Sequence, residues 1–345
     1  MSKRVVYYDV LNIMAIIAVV ALHCNEIVHS YSTNNIRAWS TSLIVECVFY
    51  WAVPIFLMLS GANLLKYRDK YDTKTFFKKR MLKVLIPFIF WATVMMIWKY
   101  NIGLLKIEEF SLKSFLNIFF ANKEEAIYYF MFIILGIYLT MPLLSILSED
   151  KYRKTCWYVV IVSFITQTIL PILLKLFEIT YNTSLAIQLG GYIIYPLLGY
   201  LLSTQELAKK QRYVIYALGI LSVIFRYGMT YYWTTTLNVL NKSLFSYTQF
   251  HSVLLACAVF VLIKNCRFTV IEKNEKFSKI VANISACSFG IYLIHKIIMY
   301  YEIQALSINI SSWKWRTIGV LSTYFISLGI VYILKKIPII KKIVP

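Results

Sequence analysis

Long apolar stretches recur through the whole of this chain of 345 residues, and each is almost free of charged side chains. A helix of about 20 apolar residues crosses the roughly 30 Å hydrocarbon core of a bilayer. Barrel strands, the other structure that satisfies its own backbone there, would be shorter and alternate strictly. The sequence therefore predicts an all-α, polytopic transmembrane bundle. We place ten spans at about 10–29, 40–65, 82–100, 126–148, 155–176, 186–203, 212–233, 244–264, 280–301 and 314–334.

The chain is strongly basic, with a formal net charge of +20, so a nucleic-acid partner has to be considered. The basic residues follow the spans, however. With the N-terminus inside, the inner segments hold 25 of the 36 Lys and Arg residues, the outer connections hold 9 and the spans hold 2. Positive residues collect on the cytoplasmic side of membrane proteins. This asymmetry predicts that both termini lie inside, and it accounts for the charge without a nucleic acid.

The connections between the spans are all too short to fold as separate domains. We therefore expect a single transmembrane domain over residues 1–345, with an uncleaved first span and no fused extracellular domain. The six cysteines are scattered and form no CxxC pair, so the sequence predicts neither a disulfide framework nor a metal site.

Ionisable side chains inside a membrane are costly, so each one is a functional candidate. From the helical rise of about 1.5 Å per residue, those in the predicted spans fall in the outer half of the bilayer. Other polar residues lie on the same helix faces as these ionisable residues and form polar stripes with them. Each stripe must face the interior of the bundle, because lipid would leave the polar groups without partners. We predict a polar cavity that opens outward, lined by the first, second, seventh and ninth spans. The ionisable residues are His23, Glu26, Glu46, Arg226, His251, His295 and Lys296, and the stripes add Asn12, Tyr50, Ser60 and Tyr292.

Structural interpretations of the same residues stay open at this point. Glu46 and Arg226 can form an ion pair that only holds the bundle together, and His251 can be a packed, hydrogen-bonded residue. Lys296 can extend outward to the interface. The basic segment KYRDKYDTKTFFKKRMLK, at 66–83, is either a topology anchor or a phosphate site for a cytosolic cofactor, and the two roles are compatible.

Six segments, in order and spacing, resemble the acyltransferase family 3 membrane proteins over nearly the whole chain. The strongest is YYDVLNIMAIIAVVALHCN, in which His23 matches the histidine that ends the first span of the family. The second span resembles the family's apolar segment in which a Phe precedes a Ser-Gly pair, here Phe56 and Ser60-Gly61, and the third opens with the family's basic pair and proline. The other five segments are VPIFLMLSGANLL (53–65), KKRMLKVLIPF (78–88), YYFMFIILGIYLTMPLL (128–144), GGYIIYPLLGYLL (190–202) and CSFGIYLIHK (287–296).

The resemblance implies an O-acyltransferase of the cell membrane, expected to be a bacterial plasma membrane. Members move an acyl group, commonly acetyl, from cytosolic acyl-CoA to a hydroxyl outside the membrane. The acceptor is expected to be a capsular, exopolysaccharide or wall glycan, or a lipid-linked sugar. Acetyl-CoA or another acyl-CoA would be the donor, with no metal.

Under this hypothesis each candidate residue has a role. His23 would act as general base, with Glu26 or Glu46 orienting its ring. His295 would steady the tetrahedral oxygen or hold the acceptor. The acceptor would contact Asn12, Tyr50, Ser60, Arg226 and Tyr292, and the CoA phosphates would contact Lys78, Lys79, Arg80 and Lys83. A covalent acyl-histidine relay through His23 is an alternative route across the membrane.

Two positions depart from the family pattern. An arginine usually stands eleven positions before the first-span histidine, where this chain has Asn12. The basic pair that is often Arg-x-x-Arg is here Arg80 and Lys83, which keeps the charge but loses one planar guanidinium. The alternative function belongs to another class of protein. A proton-coupled transporter or flippase of an organic solute or lipid-linked sugar would also use buried Glu, Arg and His residues.

Overall fold

The computed structural model describes residues 4–107, 111–179, 191–338 and 340–344. Within these residues the chain is mostly α-helical and has no β-strand, which confirms the all-α prediction. The helices are α1 (Val6–His23), α2 (Ile36–Phe49), α3 (Ala52–Leu64), α4 (Thr73–Arg80), α5 (Ile86–Asn101), α6 (Leu112–Phe120), α7 (Tyr129–Leu144), α8 (Arg153–Ser163), α9 (Leu170–Leu176), α10 (Ile194–Thr204), α11 (Lys209–Leu237), α12 (Phe250–Lys264), α13 (Thr269–Lys273), α14 (Glu275–Ala305) and α15 (Val320–Leu334).

Eight helical segments of the described chain are long and apolar enough to cross a membrane. They coincide with eight of the ten predicted spans. The other two predicted spans are shorter helices, α10 and α12, and the first residues of the predicted span at 186–203 lie outside the described residues. The eight segments are Val6–His23, Thr33–Asp69, Thr73–Asn101, Ala126–Ser148, Asp150–Leu176, Lys209–Leu237, Glu275–Ala305 and Trp315–Leu334.

The second span is broken between α2 and α3, where Pro54 lies in the first turn of α3. Proline has no backbone N–H and crowds the preceding turn, so it disrupts the hydrogen-bond ladder before it. Arg226 of α11 bonds to the backbone at this break, because its Nη1 donates to the Glu46 carbonyl at 3.0 Å. The break places Tyr50 in the turn between the two helices.

The backbones of α3 and α10 touch where the two helices cross. A Cβ atom on Gly61 would lie 1.9 Å from the Pro196 carbonyl oxygen, and one on Gly199 would lie 2.0 Å from that of Met58. Close approach at small residues is a common way for helices to associate in a membrane, where lipid competes for apolar contacts. This contact joins α3 closely to α10.

Helix α1 packs between α3 and α14 and buries Leu11, Ala15 and Ile16 completely.

The connection between α5 and α7 carries two adjacent glutamates in different surroundings. Glu125 pairs with Lys99 at 2.8 Å. Glu124 is fully buried, and neither of its carboxylate oxygens has a hydrogen-bond partner among the described residues. Burial raises the pKa of Glu124 to about 7, with Glu125 adding to the rise and Lys99 opposing it.

We predict that Glu124 makes the folded protein less stable as the pH rises from about 4.5 to about 7. Over this range the unfolded chain has already released the proton that the folded chain still holds, so unfolding becomes easier by at most about 1.4 kcal/mol per pH unit. Glu124→Gln removes the titration, and its thermal unfolding temperature in detergent should depend less on pH than that of the wild type.

The control is Glu125→Gln, which breaks the ion pair with Lys99 and should lower the unfolding temperature. It should flatten the pH curve less than Glu124→Gln does, because burial, the main cause of the raised pKa of Glu124, remains. Parallel pH curves for the wild type and Glu124→Gln would show that Glu124 does not titrate in this way.

Candidate active site

His23 is the last residue of α1, and its half-buried ring lies beside His295 of α14. The two ring centroids are 5.3 Å apart, with 33° between the ring planes. The sequence predicted that both histidines lie at a similar depth, and the fold brings them side by side.

The proton position on His295 follows from its neighbours. Its Nδ1 lies 2.8 Å from the Tyr292 carbonyl oxygen and 3.1 Å from that of Ile291, and a carbonyl oxygen can only accept. Nδ1 is therefore the donor, and in the neutral ring Nε2 is a free acceptor. This Nε2 is buried and has no hydrogen-bond partner among the residues described. An unused acceptor thus lies next to the His23 ring.

The His23 side chain lines two separate cavities, each of about 320 Å³. We call the first the Trp98 cavity, and its other wall residues include Glu26, Trp98, Lys99, Glu125, Lys296, Tyr300 and Trp315. We call the second the Tyr50 cavity, and its other wall residues include His29, Glu46, Tyr50, Phe130, Lys242, Tyr247 and Tyr292. His23 can therefore meet two different ligand groups, one from each cavity.

The Trp98 cavity contains two ion pairs. Lys99 Nζ lies 2.8 Å from Glu125 Oε2, and Lys296 Nζ lies 2.5 Å from Glu26 Oε1. We expected Glu26 or Glu46 to orient His23 and Lys296 to extend outward. The structure differs from both expectations. Lys296 lines the cavity and forms an ion pair with Glu26, and the ring beside His23 is that of His295.

Glu46 is likewise engaged by Arg226, which is only 1% exposed. Arg226 Nη2 lies 3.4 Å from Glu46 Oε1, and its Nε donates to the Leu244 carbonyl at 2.9 Å. The guanidinium lies 3.5 Å from the centroid of the Tyr50 ring, which in turn stacks on Tyr247 at 4.1 Å. Arg226 therefore holds the wall of the Tyr50 cavity and has little surface left for an acceptor, contrary to its expected role.

Tyr292 forms part of the same wall. Its hydroxyl donates to the Ile127 carbonyl, and the Tyr128 hydroxyl donates to the Leu293 carbonyl at 2.7 Å in the reverse direction. These two bonds join the start of α7 to α14. The Tyr292 ring packs edge-on against Phe130, with centroids 5.6 Å apart.

A third cavity of about 750 Å³, the Arg80 cavity, lies further along α1 toward its N-terminus. Its walls include Arg4, Asn12, Ser60, Lys70, Arg80, Phe130 and Ser285. We expected Asn12 and Ser60 to share the outward cavity with His23, and this is wrong. Eleven residues of α1 separate Asn12 from His23, a rise of about 16 Å, and the two residues line different cavities.

Asn12 uses its amide group to hold α1 against α14. Its Nδ2 donates to the Ser285 carbonyl at 2.8 Å and lies 3.0 Å from the Ser285 hydroxyl. Beside it, Arg4 pairs with Asp9 at 2.6 Å. Asn12 is thus part of the cavity wall at the position where family members carry an arginine.

Of the four basic residues expected to bind CoA, Arg80 lines the Arg80 cavity. Its Nε is buried and has no partner among the described residues. Lys78 and Lys83 are exposed, and Lys79 lies 3.7 Å over the Tyr71 ring. The chain forms a π-helical turn over Met81–Leu85, immediately after Arg80.

Arg4 and Lys70, which we had not singled out, supply the other cations of the Arg80 cavity. Lys70 belongs to the basic segment 66–83, but its charge alone did not distinguish it from its neighbours. Arg4 lies before the first span, and only the folding of α1 against α14 brings it to the cavity.

Phe130 is the residue that the Arg80 cavity and the Tyr50 cavity share. Its ring packs between Phe56 of α3, at 5.9 Å, and Tyr292 of α14, at 5.6 Å. The Phe130 side chain is therefore part of the partition between the cationic cavity and the cavity that reaches His23. No sequence pattern distinguished Phe130, because one Phe in an apolar span looks like any other.

In the part of the chain that the structure describes, no group of His, Cys, Asp and Glu has an arrangement that could hold a metal ion.

A family model for the acyltransferase domain of acyltransferase family 3 matches residues 5–334. No curated protein and no solved structure matches the chain. The family match covers nearly the whole chain, including the His23 end of α1, the Arg80 segment and the His295 region of α14. The chain therefore belongs to acyltransferase family 3 and is a multi-pass membrane acyltransferase.

Proposed function

We propose that this enzyme transfers an acyl group, commonly acetyl, from acyl-CoA on the cytoplasmic side to a hydroxyl of an extracytoplasmic glycan. The observation that carries the proposal is that His23 lines two cavities, one of which meets the cationic Arg80 cavity at Phe130. The family favours this role over a transporter, which buried charges alone would also allow.

The enzyme would form one domain in a bacterial plasma membrane, with both termini in the cytoplasm. The distribution of Lys and Arg supports this orientation. The Arg80 cavity then lies toward the cytoplasm, and the end of α1 at His23 lies toward the outside.

The Arg80 cavity would receive the CoA end of the donor. Arg80 has a buried Nε without a protein acceptor, and a guanidinium matches the geometry of phosphate oxygens. Lys70 adds a second cation. The Arg4 charge is balanced by Asp9, so Arg80 and Lys70 supply the net positive charge that attracts an anionic donor.

The acyl end must then travel about 16 Å, the rise along α1 from Asn12 to His23. The long pantetheine arm of CoA suits this distance, and its path from the Arg80 cavity to the Tyr50 cavity passes Phe130. A covalent acyl-histidine on His23 is the second route, in which His23 takes the acyl group and passes it on.

At the end of the path, an imidazole nitrogen of His23 takes the proton of the acceptor hydroxyl while the oxygen attacks the thioester carbonyl. When the tetrahedral intermediate collapses, the carbon–sulfur bond breaks and the thiolate of CoA recovers the proton. The two rings make no hydrogen bond in the described structure, and His295 Nε2 is an unused acceptor beside His23. In the proposed mechanism the rings move closer, Nε2 accepts the N–H of His23 and the other nitrogen of His23 is the base, so that His295 would orient His23 in place of a carboxylate.

We predict that His23→Gln lowers the rate of acyl transfer by about 10²–10⁴-fold, the usual contribution of a general base. The measurement is transfer of radiolabelled acetyl from acetyl-CoA to cell-surface glycan in membranes with equal amounts of enzyme. His251→Gln is the matched control, since His251 is buried and bonds to Gln249 and Ser252. Normal transfer by folded His23→Gln enzyme would remove the proposed base.

We predict that Arg80→Met raises the KM for acyl-CoA by about tenfold or more, the effect of losing one charge-assisted contact. Lys83→Met should leave the KM unchanged, because Lys83 is exposed. Lys74→Met, at another exposed lysine, controls for the general loss of positive charge. Equal effects of Arg80→Met and Lys83→Met would favour the original set of four basic residues over the Arg80 cavity.

We predict that Phe130→Ala increases hydrolysis of acyl-CoA relative to transfer, because opening the partition admits water to the thioester on its path. The measurement is the ratio of CoA released to acetyl found on the acceptor. Phe132→Ala is the matched control, since Phe132 is on the same helix but packs on Phe88 and Phe119. The same ratio in the wild type and in both variants would argue against a partition at Phe130.

A further inference from the structure

We propose that the acyl acceptor is a sugar carried on a lipid phosphate, with its sugar in the Trp98 cavity and its lipid chain in an adjoining groove between α14 and α15. This inference rests on the proposed function and deepens it by naming how the acceptor is presented to the enzyme.

The groove has a volume of about 780 Å³ and lies between the C-terminal part of α14 and the first turns of the last span. Ile298 and Ala305 line it on one side, and Ile318 and Ile326 line it on the other. The last two residues are eight positions apart, so the groove extends about 12 Å along the helix. Glu302 also borders it, but its carboxylate accepts a hydrogen bond from the Thr323 hydroxyl at 2.5 Å.

The groove adjoins the Trp98 cavity. Trp315, which is only 3% exposed, is part of both linings. A second link is Trp98, whose Nε1 donates to the hydroxyl of Tyr301 at 3.1 Å, and Tyr301 lines the groove. A ligand with its head in the cavity and its tail in the groove would therefore pass the Trp315 side chain.

The two ends of the groove differ in polarity. Asn309, Ser312 and Lys314 line it near the connection between α14 and the last span, and apolar side chains line the rest. Lys314 is exposed and forms no ion pair with any other described residue. It directly precedes Trp315 in the chain, so a cation without a partner lies where the groove meets the cavity. A phosphate between a lipid chain and a sugar would meet Lys314 at this point.

The Trp98 cavity suits an uncharged, hydroxylated ring. Trp98, Tyr300 and Trp315 offer aromatic surface to the C–H groups of a sugar. The two ion pairs, Lys99 with Glu125 and Lys296 with Glu26, offer donors and acceptors for hydroxyls. Because the charges are already balanced, a phosphate or carboxylate entering the cavity would have to break a pair. The volume is near the lower end of the range of about 300–1,000 Å³ for small-molecule sites.

The competing occupants are an ordinary membrane lipid in the groove and a soluble glycan in the cavity. An ordinary lipid would not distinguish a sugar head from other heads, and a soluble glycan would not need the groove or Lys314.

The test is photolabelling of the full-length enzyme in phosphatidylcholine nanodiscs with hexadecyl phosphate that carries a diazirine in its chain. We expect labelling within 298–326. Competition by unlabelled hexadecyl phosphoryl-glucose should be strongest, followed by hexadecyl phosphate and then hexadecyl phosphocholine. Labelling spread evenly over the exposed faces of α5 and α11 as well as the groove, or equal competition by all three compounds, would overturn the proposal in favour of ordinary lipid.

Single variants separate the three parts of the site. Ile318→Trp fills the groove and should remove the labelling, while Leu321→Trp, at an exposed position outside the groove, should not. Lys314→Gln should weaken binding of hexadecyl phosphate by about tenfold, the value of one charge-assisted contact. Trp98→Leu should remove the advantage of the sugar head but keep binding of hexadecyl phosphate. Labelling unchanged in Ile318→Trp would exclude the groove as the binding site.

The outcome is independent of the proposed chemistry. Binding is measured without acyl-CoA, and His23→Gln should bind the lipid phosphate as the wild type does. If the wild-type enzyme transfers the acyl group in a His23-dependent way but does not bind the lipid phosphate, only the proposed groove is overturned. If it binds the lipid phosphate but transfers no acyl group, only the acyltransfer proposal is overturned.

Discussion

A polar group inside hydrocarbon must find its partner within the protein, and this requirement determines how the helices around His23 are arranged. Arg226 of α11 bonds to both the carboxylate and the backbone of Glu46 in α2. Lys296 of α14 reaches Glu26 just beyond α1. The Asn25 side chain donates to the Ser42 carbonyl at 2.8 Å. Each contact joins segments that are separate in the membrane, so the polar residues that line the cavities also fix the positions of their walls.

The same pairing decides which residues remain free for chemistry. A carboxylate that is bonded to a cation loses its charge-assisted contact if it turns to a histidine, and in a low-dielectric interior that loss is large. Glu46 is engaged in this way, because both it and Arg226 are buried. Glu26 is exposed, so its contact with Lys296 is less costly to break. His295 keeps an unused acceptor beside His23, since its own donor is occupied by backbone carbonyls of the same helix. In the proposed mechanism, His295 would therefore orient the base without a buried charge.

The sequence predicted the features that depend on local pattern, and missed those that depend on helix packing. Hydropathy identified the spans, and helix rise placed His23 and His295 at one depth. The rotation of each helix was harder, because close contacts such as Gly61 on Pro196 set it. Helix rise and helix face grouped Asn12 and Ser60 with His23, although they line the Arg80 cavity and His23 lines two other cavities. Arg4 and Lys70 were missed for the same reason, since a basic residue near a span end usually serves as a topology anchor.

Asn12 leaves the Arg80 cavity without a cation at the position where family members carry an arginine. An arginine at this position would stand in the same cavity as the Arg4–Asp9 pair, and its charge would need a ligand or a second carboxylate. Asn12 instead satisfies its amide on Ser285 and holds α1 against α14 without a charge. The unbalanced positive charge of the cavity then comes from Arg80 and Lys70, both in the basic segment 66–83. Under the proposed function, the helix that positions His23 would not also have to hold the CoA phosphates.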